Sequence, residues 1–172
     1  MRKRASKFLS LFLVLAMVCS LFGSAMAAEG TTQADGDVVV LYTNDVHTYI
    51  DNNVGEGNEN GLTYSKVAGY KDSLDNALLV DAGDHIQGTA YGSMDKGATI
   101  IELMNAAGYD LATLGNHEFN FGVDTLKSIL DQAEMPVLAA NIKNADGSYL
   151  TGAGYTIVER GGVNVAIVGV TT

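Results

Sequence analysis

The sequence predicts an α/β fold built on a largely parallel sheet. Short apolar runs rich in β-branched residues alternate three times with segments whose apolar residues recur at helical spacing. The apolar runs have no polar face, which is typical of strands that are covered by other layers on both sides. Near the end of the chain, two further strand-like runs flank Gly161-Gly162, and this pattern predicts a C-terminal β-hairpin.

The first 27 residues have the layout of a secretory signal peptide. Four basic residues precede an apolar run over residues 8–22, and Ala25-Met26-Ala27 supplies a small-residue cleavage site. The apolar run is shorter than the roughly 20 residues that span a bilayer, so a cleaved signal is favoured over a membrane anchor. We therefore expect an exported protein, located in the periplasm, at the cell wall or outside the cell. Residues 28–37 are expected to form a flexible lead-in to a folded part over residues 38–172.

The charge of the chain excludes some classes of partner. Cleavage after Ala27 removes four of the ten basic residues and no acidic ones, which leaves six against twenty and a net charge of about −14. Such a field repels nucleic-acid polymers and anionic membranes. A small phosphorylated substrate remains compatible, because bound metal cations reverse the local field. The only cysteine, Cys19, lies in the signal segment, so the folded part must be stabilised by its core or by metal rather than by disulfides.

The predicted elements follow one another in a regular order. Residues 38–43 form an apolar run of strand length, and residues 51–61 are rich in Asn and Gly, which indicates a loop. Helical periodicity and further apolar runs then predict a helix over residues 63–75, a strand over 77–80, a helix around 100–107, a strand over 110–114, a helix over 123–133 and a strand over 137–140.

Three polar clusters directly follow predicted strands. They are residues 44–47, NDVH; residues 83–88, GDHIQG; and residues 115–118, GNHE; together they contain all three histidines of the chain. Because ligands of open α/β sheets gather outside the carboxyl ends of the strands, a parallel sheet would bring the three clusters together.

The residue types in these clusters suit metal binding. Asp45 and His47 are two positions apart, so in extended chain they point the same way and offer a mixed oxygen and nitrogen site for zinc, manganese or iron. Asp84 could bridge two ions with its two oxygens, and Asn116 offers a carbonyl oxygen. His117 projects differently from Asn116 and is therefore free for a separate role.

Each cluster also has a structural explanation. An Asp-x-His pair is common in proteins without metal, GDHIQG could be a tight turn with solvated polar tips, and GNHE could be an Asn turn before a capped helix. The occurrence of all three clusters after strands favours a functional site over these separate explanations.

Three longer stretches carry a resemblance to a known family. LYTNDVH, LLVDAGDHIQGT and LATLGNHEFNFG resemble the signature blocks of the calcineurin-like metallophosphoesterases, and more narrowly those of the 5'-nucleotidase family, which includes 2',3'-cyclic-nucleotide phosphodiesterases. The resemblance covers residue 38 to the end of the chain. It implies the first half of a four-layer α/β/β/α sandwich, two divalent metal ions such as zinc or manganese, and a small nucleotide as substrate.

The resemblance also implies roles for single residues. Asp45 and His47 would bind the first metal, Asp84 would bridge both metals, and Asn116 would bind the second. His117 would face the phosphate and stabilise or protonate the leaving oxygen. His85 and Gln87 are not ligands in the family pattern, so we expect them to pack around the ligands.

Asn120 stands where many members of the family have an aspartate that orients and charges the catalytic histidine. Asparagine can accept a hydrogen bond from the imidazole, but it cannot stabilise an imidazolium by charge. Members that resemble the cyclic phosphodiesterase branch also carry asparagine at this position. We therefore count Asn120 with His117 as a catalytic position, and it adds weight to that branch.

The family pattern has further histidine ligands, but no histidine follows His117 here. The resemblance thus implies an N-terminal fragment of a longer enzyme, inactive by itself, with an exposed apolar sheet face and an unpaired edge. Two other functions are open: a non-catalytic metal-binding or adhesion module, and an α/β protein that binds small solutes. A solute-binding protein has no need of an Asp-x-His pair, which counts against it.

Overall fold

The computed structural model describes residues 36–50 and 61–172. The predicted signal peptide, nearly all of the lead-in and nearly all of the loop over residues 51–61 lie outside the described residues. The elements are β1 Val39–Thr43, α1 Tyr64–Asp72, β2 Ala77–Asp81, α2 Ala90–Asp95, α3 Ala98–Ala106, β3 Leu111–Thr113, a 3₁₀ turn at His117–Phe119, α4 Val123–Leu130, β4 Val137–Leu138, β5 Tyr155–Arg160 and β6 Val163–Val168.

Strands β1 to β4 form one sheet in the order β1-β2-β3-β4, and every neighbouring pair is parallel. Each of the first three strands is followed by at least one helix that returns the chain, so the carboxyl ends of all four strands meet at the same edge. The α/β class and the parallel sheet are confirmed. Leu78 and Leu79 in β2 are both fully buried, which explains why this run is apolar at successive positions.

Strands β5 and β6 form a separate two-stranded antiparallel sheet, which confirms the predicted C-terminal hairpin. Arg160 pairs with Val163, and the two glycines between them both have positive φ, as a two-residue hairpin turn requires. The Arg160 guanidinium lies 2.5 Å from Asp110, the residue directly before β3. This ion pair ties the hairpin to the parallel sheet.

Two helices, α1 and α4, each end three residues earlier than their periodicity predicts, and one helix was not predicted. Helix α1 begins after its N-cap Thr63 and ends at Asp72, because the Ser73 hydroxyl donates to the Tyr70 carbonyl and competes with the next helical bond. Helix α2 has no apolar periodicity. A Cβ added to its Gly92 would overlap the Ile86 carbonyl. The position of this helix is therefore set by close packing and not by a pattern of apolar residues in its sequence.

The core lies between the sheet and the helices that follow its strands. Its fully or nearly fully buried members are Leu79, Ile86, Ile100, Ile101, Met104, Ala112, Leu114 and Leu126. Ile86 lies inside the second polar cluster and Leu114 directly precedes the third, so core packing anchors both loops. Within the described residues, no helix has the length and apolar character needed to cross a bilayer.

Some apolar residues remain exposed. Strand β1 is at the edge of its sheet, and its Val40 and Tyr42 are 52% and 74% exposed. On the hairpin, Tyr155, Ile157 and Val168 are also exposed. The expected apolar sheet face and open edge are therefore present in the described chain.

Candidate metal centre

Two of the polar clusters are held side by side by main-chain hydrogen bonds. Beyond the ends of β1 and β2, the Asp45 N–H donates to the Gly83 carbonyl at 3.1 Å, and the His47 N–H donates to the Asp84 carbonyl at 2.9 Å. The pairing of the two strands therefore continues into their loops. As a result, the first and second clusters lie next to each other at the carboxyl edge of the sheet.

The structure brings one residue from each cluster to a common point. His47, Asp84 and His117 each offer a ligand atom, and these three atoms lie within 4.8 Å of one another. The rings of His47 and His117 meet edge to face, with their centroids 4.9 Å apart. All three residues are partly exposed, so the point is open to solvent. Two imidazoles and a carboxylate are a suitable ligand set for zinc, manganese or iron.

His47 is oriented by the main chain of the second cluster. Its Nδ1 lies 2.9 Å from the Gln87 carbonyl oxygen. Because a carbonyl only accepts, Nδ1 carries the proton and Nε2 presents its lone pair, as in histidines that bind metals. The Nε2 atom lies 3.9 Å from Asp45 Oδ1, and the Asp45 side chain is 58% exposed. Asp45 thus stands at the rim of the cluster.

The loops that carry these groups hold a backbone conformation that is rare outside glycine. The φ angles are +53° at Asp45, +47° at His47, +60° at Thr48 and +58° at Asp84. Such angles cost free energy, most of all at a β-branched threonine, and they persist only where surrounding contacts enforce them. Backbone strain therefore concentrates at three of the predicted ligand positions.

Contacts between Thr48 and Thr89 hold the first loop in this conformation. Thr48 is fully buried, and its hydroxyl oxygen accepts a hydrogen bond from the Thr89 N–H at 2.7 Å. The Thr89 hydroxyl in turn donates to the Thr48 carbonyl at 3.1 Å. The pair connects the loop after β1 to the N-cap of α2.

Glycines allow the three loops to approach closely. A Cβ added to Gly88 would overlap the His47 carbonyl, and a Cβ added to Gly115 would overlap Asp84 Oδ1. The glycines of the second and third clusters are therefore needed for space at the site.

His117 opens the 3₁₀ turn and is bound to its neighbours on both sides. Its main-chain N–H donates to Asp84 Oδ1 at 2.8 Å, which joins the third cluster to the second. The Asn120 Nδ2 lies 2.8 Å from His117 Nδ1. An amide nitrogen only donates, so Nδ1 accepts. Asparagine has a donor end as well as an acceptor end, and here its amide nitrogen faces the imidazole.

The predicted site residues lie together at this edge, with different degrees of contact. His47, Asp84 and His117 share the common point, Asp45 borders it, and Asn116 and Asn120 are exposed residues on either side of the 3₁₀ turn. The sequence assigned His117 to the phosphate, whereas the structure places its imidazole among the groups that could hold an ion. The individual roles remain predictions for Asp45, His47, Asp84, Asn116, His117 and Asn120.

Sequence reasoning missed a buried charged group beneath the cluster. Asp81, His85 and Glu118 are almost completely buried, and His85 Nδ1 lies 2.8 Å from Asp81 Oδ1. Burial lowers the pKa of His85, but the hydrogen bond to Asp81 and the negative charges of Asp81, Glu118 and Asp84 outweigh burial, so the pKa lies above its ordinary value. His85 is buried and packs against Asp81 and Glu118, in line with the packing role expected from the sequence. The one sequence signal for Glu118 is an acidic residue inside a short loop between two apolar segments.

Comparison with characterised proteins gives one consistent group of relatives. No protein-family model matches the chain. Human 5'-nucleotidase is 35% identical over 154 residues, which cover 79% of this chain and 26% of that protein. The snake venom 5'-nucleotidase of Gloydius brevicauda is 34% identical over 160 residues, which cover 85% of this chain and 27% of that protein. The chain thus spans about a quarter of the length of the curated relatives it matches.

Solved structures with the same fold come from the same group. The 5'-nucleotidase precursor of Thermus thermophilus superposes with a TM-score of 0.66 at 31% identity, over 78% of this chain and 28% of that one. The NAD nucleotidase of Haemophilus influenzae gives a TM-score of 0.65 at 31% identity, over 78% of this chain and 26% of that one. The calcineurin-like phosphoesterase YfkN of Bacillus subtilis gives a TM-score of 0.62 at 28% identity, over 78% and 48% of the two chains.

Proposed function

Because the chain belongs to the 5'-nucleotidase family of calcineurin-like metallophosphoesterases, whose N-terminal part it spans, we propose that it supplies the first ligands of a two-metal phosphoesterase site. The reaction is the hydrolysis of nucleotide phosphate esters. The observation that carries this proposal is that polar atoms of His47, Asp84 and His117 lie within 4.8 Å of one another, which places two metal ligands, His47 and Asp84, beside a histidine that can reach the phosphate. The coverage of the relatives supports a longer full-length protein, to which the activity is assigned.

Some residues at this edge of the sheet would bind the metal ions, and others would contact the phosphate. His47 and Asp45 would hold the first ion, Asp84 would be shared between both ions, and Asn116 would contribute to the second. Two divalent ions, when bound, polarise the phosphoryl oxygens and lower the pKa of an attacking water. The carboxylates of Asp45 and Asp84 suit cations first and an anionic substrate only after cations are bound.

His117, oriented by Asn120, stabilises the charge on the leaving group. With the Asn120 amide donating to Nδ1 at 2.8 Å, the proton of a neutral His117 resides on Nε2. From there the Nε2–H donates a hydrogen bond that stabilises the negative charge developing on the oxygen of the leaving group.

A second candidate activity is a 2',3'-cyclic-nucleotide 2'-phosphodiesterase with 3'-nucleotidase activity. Asn120 supports it, because members that resemble the cyclic phosphodiesterase branch also carry asparagine at this position. The two activities differ in whether the substrate is a monoester or a cyclic diester.

Turnover by the full-length protein tests both candidates. The assay uses AMP, cyclic 2',3'-AMP and UDP-glucose with added zinc, manganese or cobalt, and it is repeated with chelator. We expect metal-dependent turnover that falls by orders of magnitude in Asp84→Asn and is unchanged in Glu102→Gln, a surface substitution on α3. Faster turnover of cyclic 2',3'-AMP than of AMP selects the second candidate. Metal binding without turnover of any substrate would instead establish the non-catalytic module.

Export is the second part of the proposal. It is supported by the basic start, the apolar run over residues 8–22 and the Ala25-Met26-Ala27 site. Fractionation of the producing cells followed by N-terminal sequencing tests it. A mature protein that begins at Ala28 outside the cytoplasm is expected, and a cytoplasmic protein that retains Met1 would contradict it.

A further inference from the structure

Glu118 is a carboxylate that the proposed reaction does not use. It follows His117 in the 3₁₀ turn, and its exposed fraction is 0%. A buried carboxylate is strongly destabilising unless hydrogen bonds satisfy both of its oxygens. The contacts that satisfy Glu118 therefore show what the residue does.

Within the described residues, the hydrogen bonds that Glu118 accepts all come from main-chain N–H groups, and these groups belong to two loops. Its Oε2 accepts from the Asp84 N–H at 2.8 Å and from the Gly115 N–H at 2.6 Å. Its Oε1 accepts from the N–H groups of His85 at 2.8 Å and Ile86 at 3.2 Å. Hydrogen bonds to an ionised acceptor are shorter and stronger than neutral ones. One side chain thus gathers three successive N–H groups after β2 and one after β3.

These bonds act on the residues that meet at the metal centre. Asp84 has a φ of +58°, and the bond from its own N–H to Glu118 helps to offset the cost of that conformation. In the opposite direction, Asp84 Oδ1 accepts from the His117 N–H at 2.8 Å. The second and third loops are therefore joined by side-chain to main-chain bonds in both directions.

We propose that Glu118 is a positioning residue that sets the distance between the Asp84 carboxylate and the His117 imidazole, an inference that rests on the proposed function. An apolar residue of the same size would fill the space but would leave four buried N–H groups without acceptors. His85 lies between Glu118 and Asp81, with its Nδ1 3.7 Å and 2.8 Å from their oxygens, and so partly compensates the buried negative charge.

Glu118→Gln tests the proposal, since glutamine has the same shape but turns an NH₂ group toward two of the N–H donors. Glu102→Gln makes the same chemical change on the surface of α3 and serves as the matched control. Mn²⁺ affinity is measured by isothermal titration calorimetry, and the coordination of bound Co²⁺ is followed by its visible absorption. We expect Glu118→Gln to weaken Mn²⁺ binding by about 10- to 100-fold and to change the Co²⁺ spectrum. The control should match the unsubstituted chain in both.

Glu118→Asp separates positioning from simple stabilisation. It keeps the charge and the acceptors but is shorter, so it should restore part of the Mn²⁺ affinity lost in Glu118→Gln. A merely structural residue would lower the melting temperature and leave the Co²⁺ spectrum of the folded protein unchanged. Unchanged affinity and spectrum in Glu118→Gln would overturn the proposal.

Amide hydrogen exchange of the unsubstituted chain gives a readout that requires neither metal nor a folded variant. We expect slow exchange at Asp84, His85, Ile86 and Gly115, and free exchange there would overturn the inference. If the unsubstituted chain binds no Mn²⁺, the proposed metal function fails. The exchange rates still decide whether Glu118 holds the two loops together.

Discussion

The main-chain carbonyl oxygen of Gln87 lies 2.9 Å from Nδ1 of His47 and fixes which nitrogen of this histidine faces the metal centre. The contact uses no side-chain atom of Gln87. The orientation of His47 therefore depends on the path of the loop after β2, and that path depends in turn on the glycines and on Glu118.

The contact between His47 and Gln87 predicts that substitutions of these two residues change Mn²⁺ affinity differently. Gln87→Ala should leave Mn²⁺ affinity unchanged, because the acceptor is a main-chain atom. His47→Ala should weaken it by at least about tenfold, since it removes a ligand. Isothermal titration calorimetry measures both. A loss in Gln87→Ala as large as that in His47→Ala would show that the Gln87 side chain itself takes part.

Gly115→Ala should destabilise the fold. The added Cβ would overlap Asp84 Oδ1 and the main chain after β2, and relief requires a shift of a buried loop that costs about 1–3 kcal/mol. Gly69→Ala is the matched control: it lies inside α1 with open space around it, so helix propensity should stabilise the chain by up to about 1 kcal/mol. Urea unfolding measures both changes. Equal effects of the two substitutions would contradict the close approach at Gly115.

Thr48→Val should cost about 1–3 kcal/mol of unfolding free energy. The substitution keeps the shape of a fully buried side chain but removes the acceptor of the Thr89 N–H. Thr156→Val on the half-buried hairpin is the control and should change stability by less than about 0.5 kcal/mol. Chemical denaturation is again the measurement. A neutral effect of Thr48→Val would show that the loop is held without this hydrogen bond.

Asp95 should contribute to the free energy of unfolding in a way that depends on pH. Burial raises the pKa of its carboxyl, but hydrogen bonds from the hydroxyl and N–H of Thr99 and from the N–H of Gly97 outweigh burial and hold the pKa below its ordinary value. The folded-state pKa is lower than the unfolded one, so Asp95 stabilises the fold above the unfolded pKa. This contribution is lost as pH falls through the folded pKa.

The stability of the unsubstituted chain is compared with that of Asp95→Ala as the pH is lowered. The difference should be largest near neutral pH and should shrink once the pH falls below about 4. Denaturant unfolding at several pH values measures it. A difference that stays constant down to pH values well below the ordinary pKa of aspartate would contradict the assigned hydrogen bonds.

The parts of the fold that the sequence predicts are those with a strong local pattern. Residues 77–81 are apolar at nearly every position because β2 is covered on both sides, and the two glycines before Val163 specify their turn without help from tertiary contacts. Helix α2 escaped prediction because its sequence, AYGSMD, has no apolar period. It is placed by the Thr89 cap and by the close approach of Gly92 to Ile86.

The candidate site also has parts that the sequence predicts and parts that it does not. The order of strand, glycine and polar residue could be read from the chain, because parallel strands bring their carboxyl ends to one edge. The acceptor role of Glu118 could not be read, since its donors are main-chain groups more than thirty residues away as well as nearby. The direction of the hydrogen bond between Asn120 and His117 also depends on side-chain geometry that spacing does not fix.

The position of a bound ion is the most direct test of the metal centre. Crystals of the chain soaked in zinc, with anomalous diffraction recorded at the zinc edge, locate the ion without any assumption about activity. We expect an anomalous peak about 2 Å from His47 Nε2, in contact with the Asp84 carboxylate. A peak only elsewhere on the molecule, or no peak beside these two residues when the crystal is saturated with zinc, would contradict the proposed metal centre.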